Sequence, residues 1–201
     1  QNLTAYGPVT INSSIATGTG TVTVKGGSFL TLTGSNSYTG QTNITESGAL
    51  RISNGNAISD SGAVVMANTT FAQFLLDDSE TIGSLAGGGT AGVKVTSGAS
   101  TATLTIAGAA NTEFAGVLTN DAGTLSLTKT GSGTLNLSGA NSYTGATTVN
   151  DGVLQISHET GLGTTAGGVS VASAATLDIN GVAVGVEALT LAGALTGTGT
   201  A

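Results

Sequence analysis

The only histidine of the chain is the residue best suited to acid–base chemistry. His158 lies between Ser157 and Glu159, and a serine hydrolase site requires a nucleophile, a base and a third group that meet in space. The residues around His158 lack the Gly-x-Ser-x-Gly nucleophile elbow. We therefore interpret His158 as a turn residue in the loop that follows a predicted strand, and not as a catalytic base.

One acidic cluster has the ligand types that a hard cation prefers. Asp77, Asp78, Ser79 and Glu80 are consecutive, and Ca²⁺ is bound by carboxylate and other oxygen atoms. Their spacing matches neither an EF-hand loop nor the Gly-Gly-x-Gly-x-Asp repeat of calcium-binding β-rolls. We favour a solvated turn, and ion binding by Asp77, Asp78 and Glu80 is the alternative that a Ca²⁺ titration tests.

The other carboxylates are scattered along the chain. Cleavage of a glycosidic bond requires two carboxyl groups that face the same bond, so polysaccharide hydrolysis is not expected. Gly87-Gly88-Gly89 is followed neither by Lys-Ser/Thr nor by a predicted helix, which argues against a phosphate-binding loop. We predict a protein that is not an enzyme and has no catalytic, cofactor-binding or metal-binding residues. The scattered acids are Glu46, Asp60, Glu113, Asp121, Asp151, Glu159, Asp178 and Glu187.

Two of the three tyrosines occupy the same position of a repeated segment. Tyr38 and Tyr143 each follow an Asn-Ser dipeptide, whereas Tyr6 stands apart. A tyrosine ring can stack on a sugar, but packing against a turn or an edge of the fold is the interpretation we favour. Phe71 and Phe74 precede the acidic cluster and predict a bulge or a packed loop. This segment is the first place to look for a partner surface.

Charge and composition exclude several classes of partner. The formal charge is −7 with four cationic residues, so the chain has no basic stripe for nucleic acid or for an anionic membrane. No apolar run reaches the roughly 18 residues needed to cross a bilayer. The chain has 33 glycines, no cysteine, and only 7% charged and 3% aromatic residues. This composition is typical of short strands joined by tight turns.

The elements that must position these residues are defined by an internal repeat. Residues 30–45 read LTLTGSNSYTGQTNIT, and residues 135–150 read LNLSGANSYTGATTVN, an ungapped match at an offset of 105. GALRIS at 48–53 then matches GVLQIS at 152–157 at an offset of 104. Repeats of this kind indicate that one structural unit is used more than once.

Apolar residues alternate over short distances throughout the chain, which predicts strands with one face inward. Roughly sixteen to twenty such strands are consistent with a sandwich, a barrel or a solenoid. The repeat distance favours the solenoid because it holds about four to five coils of 20 to 25 residues, and the scarce aromatic residues suit a narrow core. The pairs are Val9/Ile11, Val22/Val24, Leu30/Leu32, Leu50/Ile52, Val93/Val95, Leu104/Ile106, Leu125/Leu127, Leu135/Leu137, Leu154/Ile156, Val169/Val171, Leu177/Ile179 and Leu189/Leu191.

The two repeated segments resemble a known family. LTKTGSGTLNLSGANSYTGATTVNDGVLQIS (127–157) and LTLTGSNSYTGQTNITESGALRIS (30–53) are similar to the passenger-associated transport repeat of Gram-negative autotransporters. TIGSLAGGGT (81–90) and NTEFAGVLTNDAG (111–123) look like segments that separate such repeats. The resemblance implies a right-handed β-helical passenger that is exported through the outer membrane by a C-terminal β-barrel.

We therefore predict an all-β chain that folds as a right-handed parallel β-helix, or solenoid. Residues 1–201 are expected to form a single segment of eight to ten coils, with module copies near 28–59 and 133–162. The resemblance implies a structural or adhesive role at the extracellular surface of a Gram-negative bacterium. The expected partner is a host or neighbouring-cell surface protein or glycan. The alternative is a self-assembling filament or surface-layer subunit that associates through the solenoid ends.

Overall fold

The chain folds into short parallel strands in a computed structural model that describes residues 2–16, 18–67, 71–89 and 92–197. No helix occurs in these described ranges. The strands are β1 (Leu3–Ala5), β2 (Pro8–Ile11), β3 (Val22–Val24), β4 (Phe29–Leu32), β5 (Thr42–Ile44), β6 (Ala49–Ile52), β7 (Ala63–Met66), β8 (Gln73–Leu76), β9 (Glu80–Ile82), β10 (Ser84–Gly87), β11 (Lys94–Ser97), β12 (Ala102–Ile106), β13 (Thr112–Phe114), β14 (Val117–Thr119), β15 (Leu125–Lys129), β16 (Thr134–Leu137), β17 (Thr147–Val149), β18 (Gly152–Ile156), β19 (Val169–Val171), β20 (Ala175–Asp178), β21 (Leu189–Leu191) and β22 (Ala194–Thr196).

These strands build three parallel sheets, and each strand pairs with a strand of the next coil. Sheet A has the order β1-β3-β5-β7-β10-β13-β16-β18-β20-β22, sheet B the order β2-β4-β6-β8-β11-β14, and sheet C the order β9-β12-β15-β17-β19-β21. The ten strands of sheet A correspond to about nine turns. The prediction of an all-β parallel solenoid is confirmed, and its right-handed sense stays a prediction.

Alternation in the sequence becomes vertical stacking in the core. Leu30 of β4 pairs with Leu50 of β6, which pairs with Phe74 of β8, and Phe74 pairs with Val95 of β11. All four side chains are fully buried. Each inward side chain is therefore shielded from water mainly by the coils directly below and above it, as in other repeat architectures.

The three faces of the solenoid are not occupied by strands in every coil. Among the described residues, the first three coils have strands on faces A and B only, and the first strand on face C is β9. Sheet B ends at β14, and from β16 onward the strands lie on faces A and C. A turn or loop must therefore cover one face of the coils at both ends of the chain.

The strand prediction was incomplete, and some of the strands that it missed have a polar residue at an inward position. Ten of the predicted pairs lie within strands, but Val93 precedes β11 and Ile179 follows β20. The described residues contain twenty-two strands, more than the sixteen to twenty expected. Those missed include β5 and β17, whose inward residues Thr42 and Thr147 are polar but buried. A period-two search for apolar pairs does not detect such strands.

Candidate functional site

The repeated motif forms two equivalent turns that replace a strand. We call residues 36–40 and 141–145 the NSYTG turns. The first lies between β4 of sheet B and β5 of sheet A, and the second lies between β16 of sheet A and β17 of sheet C. Each turn crosses the one face of its coil that has no strand. The motif therefore covers the face of the solenoid that has no strand in that coil.

The asparagine of the second turn continues the hydrogen-bond ladder across that face. Leu118 of the coil below donates its backbone N–H to Asn141 Oδ1 at 2.8 Å, and Ser142 donates its N–H to the Leu118 carbonyl at 2.9 Å. Asn141 Nδ2 donates upward to the Gly161 carbonyl at 2.7 Å. One buried side-chain amide thus connects three successive coils, which satisfies backbone groups that would otherwise lack partners.

The first turn has the same hydrogen-bond pattern. Ile15 donates its N–H to Asn36 Oδ1 at 2.7 Å, and Ser37 donates to the Ile15 carbonyl at 3.1 Å. Asn36 Nδ2 donates to the Ala57 carbonyl at 2.6 Å. Because both copies have the same three bonds, the Asn-Ser dipeptide has one structural role that its sequence neighbours do not change.

The tyrosine of each turn fills the core where the inward side chains of a strand are missing. Tyr38 and Tyr143 are fully buried, and their hydroxyls lie 2.7 Å from Thr42 Oγ1 and 2.6 Å from Thr147 Oγ1. Burial raises the pKa of Tyr38 to about 12 and also raises the pKa of Tyr143. Packing on the turn is confirmed for both rings, and neither is available to a sugar. Tyr6, in contrast, is 70% exposed.

The glycine of each turn allows the backbones of two coils to touch. A Cβ on Gly40 would lie 2.1 Å from the Gly20 carbonyl oxygen, and one on Gly145 would lie 2.3 Å from the Leu125 carbonyl oxygen. Ser126 Oγ also lies 2.2 Å from the Cβ position of Gly145, but the carbonyl oxygen at each site belongs to the main chain, so no other residue fits without a shift of the backbone. This explains the glycine in the motif.

The two turns lie on different faces of the rod. The first copy begins on sheet B at β4, and the second begins on sheet A at β16. Between them the chain completes four coils on sheet B, at β6, β8, β11 and β14, and then passes through β15 on sheet C to β16. The 105-residue offset is therefore four and two-thirds coils, and the two turns are rotated relative to each other.

Asp77 of the predicted acidic cluster belongs to a surface ion pair. Its Oδ2 accepts from Arg51 Nε at 2.6 Å, its Oδ1 from the Arg51 guanidinium at 3.1 Å, and its Oδ2 from Ser53 Oγ at 2.9 Å. The Arg51 guanidinium holds the pKa of Asp77 below its usual value. Asp78 and Ser79 are exposed. A solvated turn describes only these last two residues.

Glu80 lies inside the solenoid, so its interpretation as part of a solvated turn was wrong. It is 2% exposed, and its carboxylate accepts backbone N–H groups of Ala57 at 3.2 Å and Ile58 at 2.5 Å. Burial raises the pKa of Glu80 to about 7 against the opposing effect of these two bonds. The carboxylates of Asp77 and Glu80 therefore serve different partners. No cluster of three potential metal ligands is found among the described residues.

Sequence reasoning also missed a buried lysine. Lys129 is 1% exposed, and its Nζ donates to the Gly131 carbonyl. Burial lowers its pKa, and the nearby Asp151 acts in the opposite direction. Lys129 is the third inward position after Leu125 and Leu127, so the period-two pattern could have placed it inside. The equivalent residue 105 positions earlier is Val24.

His158 and the Phe71–Phe74 segment show no arrangement for chemistry. His158 Nδ1 lies 3.1 Å from the backbone N and from Oγ1 of Thr160, which makes it a turn residue as interpreted. Ser157 Oγ donates instead to Asn136 at 2.9 Å. Phe74 is buried in β8, whereas Phe71 is 62% exposed. Phe71 also has a backbone φ of 67° two residues before β8, and the bulge or packed loop expected in this segment stays a prediction.

Comparison with known families identifies the repeated segments. The model of the passenger-associated-transport-repeat family matches residues 15–52 and 127–156. Each matched range includes one NSYTG turn and the strand that follows the turn. Comparison with curated proteins and with solved structures finds no match to this chain. Within the described residues, no helix is long and apolar enough to span a membrane.

Proposed function

We propose, from the premise that this chain carries two passenger-associated transport repeats, that it is part of the exported passenger of an autotransporter. Its role is structural and adhesive, without catalysis, at the extracellular surface of a Gram-negative bacterium. The expected partner is a protein or glycan on a host or neighbouring cell.

The observation that supports this proposal best is the continuity of sheet A through both repeats. Its ten strands pair in register from β1 to β22, and the NSYTG turns keep the ladder connected on faces that lack strands. At about 4.8 Å per coil, nine steps give a rod roughly 40 to 50 Å long. A rod of this kind holds a binding face away from the cell, and repeated weak contacts along it give avidity.

Surface display of the chain tests export and adhesion together. The chain is fused between a signal peptide and a translocating β-barrel in a Gram-negative host, and its cleavage by external protease is measured on intact cells. Adhesion is then measured as binding of the displaying cells to a panel of epithelial cells and to cells of the same strain. Cells that display only the tether and barrel are the matched control.

We expect protease-sensitive display and at least several-fold more cell binding than with the tether alone. Display without binding to either cell type would overturn the adhesive role and leave the export role. A chain that stays protected from external protease, while the tether alone is exported, would overturn both. Turnover in polysaccharide hydrolysis assays would contradict the non-catalytic assignment.

Self-assembly of the purified chain is the second candidate function, and the partly exposed inward leucines of β21 and β22 favour it. Leu189, Leu191 and Leu195 stack on Val169, Val171 and Leu177, yet they are 39%, 42% and 47% exposed. Apolar side chains and unpaired strand edges at such a position favour pairing with another coil.

Sedimentation and negative-stain microscopy of the purified chain test this second candidate. Stacking predicts rods longer than one chain and a sedimentation coefficient that increases with concentration. Leu195→Lys is expected to abolish the increase, because it places a charge at an inward position of the edge. Thr196→Lys is the matched control on the outward side of the same strand. A monomer at all concentrations would exclude self-assembly.

A further inference from the structure

The outer face of sheet C presents a row of hydroxyl groups in register. Adjacent strands align Thr81 with Thr105, Thr105 with Thr128, and Thr128 with Thr148. The same row continues through Ser170 to Thr190. Every strand of the sheet thus contributes one hydroxyl, spaced by the strand separation of about 4.8 Å. We call these six residues the hydroxyl row.

A second row of small residues lies two positions earlier in the sequence, within β12 and β15 and directly before the other four strands. It contains Ser79, Thr103 and Ser126, and it continues with Ala146, Gly168 and Ala188, as the register of the strands requires. The distance between the two rows is about 6.6 Å, which is two residues of a parallel strand. Near its C-terminal end the face contains a shallow depression of about 240 Å³, bordered by Thr148, Ser170 and Thr190.

The face of sheet C is chemically different from the other two faces. Its twelve outward positions, all in the described part of the chain, contain nine hydroxyl residues and no charged or aromatic residue. Outward positions of sheet A include Glu113 and Asp178, and those of sheet B include Arg51 and Lys94. In a chain with a net charge of −7, a neutral face of this size favours an uncharged partner.

The hydroxyl row is also free to bind that partner. In the described part of the chain, none of its six hydroxyls makes a hydrogen bond to another protein group. Each can donate one hydrogen bond and accept others. The strands of sheet C contain no positive-φ residue, but Gly168 of the second row has a φ of 66° directly before β19, so the regular spacing of the two rows is confined to β9, β12 and β15. Over β9, β12 and β15 the face therefore presents two rows of hydroxyls, and over β17, β19 and β21 the hydroxyl row continues beside Ala146, Gly168 and Ala188.

We propose that this face binds ice. A rigid array selects a partner with a fixed repeat in two dimensions, and the hydrogen-bonded water lattice is uncharged and supplies both donors and acceptors at spacings of this order. Sugar polymers are also uncharged, but aromatic faces are the usual platform for sugar rings, and this face has none. Each contact is weak, and the sum over six strands provides the affinity.

Uptake into growing ice tests the proposal with the purified chain. A solution of the chain is frozen slowly around a cooled probe, and the protein concentrations in the ice and in the remaining liquid are compared. The gap between melting and freezing temperatures is measured in parallel. The chain is expected to be enriched in ice and to produce a measurable gap, whereas serum albumin is excluded.

Thr128→Tyr and Thr105→Tyr place a bulky ring in the middle of the hydroxyl row and are expected to reduce uptake at least tenfold. Thr23→Tyr, at an outward position of sheet A, is the matched control and keeps uptake. Circular dichroism confirms that all three variants fold. Exclusion of the unmodified chain from ice would overturn the proposal, and so would normal uptake of both variants.

Pull-down with powdered cellulose and chitin separates the nearest alternative. Retention on either powder that is lost in Thr128→Tyr, without uptake into ice, would assign the face to a neutral polysaccharide and overturn the proposal for ice. The cell-binding assay above does not depend on this result, because it compares displayed chain with tether alone.

Discussion

The backbone N–H and C=O of Leu118 both pair with the NSYTG turn of the next coil, and Asn141 supplies the acceptor for the N–H. The Leu118 N–H donates to Asn141 Oδ1 at 2.8 Å, where a neighbouring strand would normally present a main-chain carbonyl. Because Leu118 belongs to β14, the last strand of sheet B, the side chain of Asn141 completes an edge that would otherwise be buried without partners.

Asn141→Ala is expected to lower the free energy of unfolding by about 2 to 6 kcal/mol, because it leaves the Leu118 N–H and the Gly161 carbonyl without partners, at about 1 to 3 kcal/mol each. Urea denaturation followed by circular dichroism measures the change. Asn150→Ala, at an exposed position, is the matched control. Equal stabilities of the two variants would show that the amide bridge contributes nothing.

Gly145→Ala is expected to destabilise the chain by about 1 to 3 kcal/mol, since the new methyl group meets the Leu125 carbonyl oxygen and forces two coils apart. Thermal unfolding detects the change. Gly185→Ala is the control, because a Cβ there meets its nearest atom, Thr165 Cγ2, at 3.9 Å. A loss of stability at Gly185 as large as at Gly145 would contradict the explanation by close approach.

Glu80 predicts that stability increases as the solution becomes more acidic. Its pKa is raised from 4.5 to about 7 in the folded chain, so folding favours the protonated form. The contribution is fully present below about pH 4.5 and is lost as the pH rises through 7. A shift of this size corresponds to about 3 kcal/mol, measured by urea denaturation at pH 4.5 to 7.5.

Two variants check that the pH effect comes from Glu80. Glu80→Gln should remove most of the pH dependence in this range, whereas Glu159→Gln, at an exposed site, should leave it unchanged. Asp77 acts in the opposite direction, since its lowered pKa makes its contribution disappear as the pH falls below about 4. Burial also raises the pKa of Glu187, which acts in the same direction as Glu80, so the part of the pH effect that Glu80→Gln removes is the part that reports on Glu80. A flat profile for the unmodified chain would refute the prediction.

Lys129→Met is expected to stabilise the chain by about 1 to 3 kcal/mol at pH 7. The buried ammonium loses its hydration and gains one carbonyl partner, so an apolar chain of similar length removes a desolvation cost. The lowered pKa of Lys129 further predicts that this advantage shrinks at high pH. Lys94→Met, at a half-buried position on sheet B, should change stability by less than about 0.5 kcal/mol. A destabilised Lys129→Met would indicate that the lysine has a structural role.

Local patterns in the sequence were sufficient for the fold class and for much of the strand set. Pairs such as Leu30/Leu32 and Leu135/Leu137 lie inward because alternation is a property of the strand itself. The two copies of NSYTG were detected as parts of a repeated segment, because self-similarity can be found in the sequence alone. The buried position of Lys129 also follows from alternation, although its charge argued against it.

The contacts between coils could not be predicted from local sequence patterns. Nothing in the sequence near Asn141 indicates that its partners are Leu118 and Gly161, 23 and 20 residues away. Likewise, Glu80 looked like part of a solvated acidic run, because its acceptor role depends on Ala57 and Ile58 of the preceding coil. Burial of a polar residue is decided by partners that another coil supplies.

By itself, the sequence determined that short strands alternate with glycine-rich turns and that one module occurs twice, because these features depend on neighbouring residues and on self-similarity. Only the tertiary structure decided which face each module occupies. Successive coils differ in length by several residues, so the number of coils cannot be calculated from the sequence. The strand and sheet assignments show that 105 residues span four and two-thirds coils. The same stacking places Tyr38 and Tyr143 inside the core and aligns the hydroxyls of sheet C, since register between coils is set by backbone pairing across the whole rod.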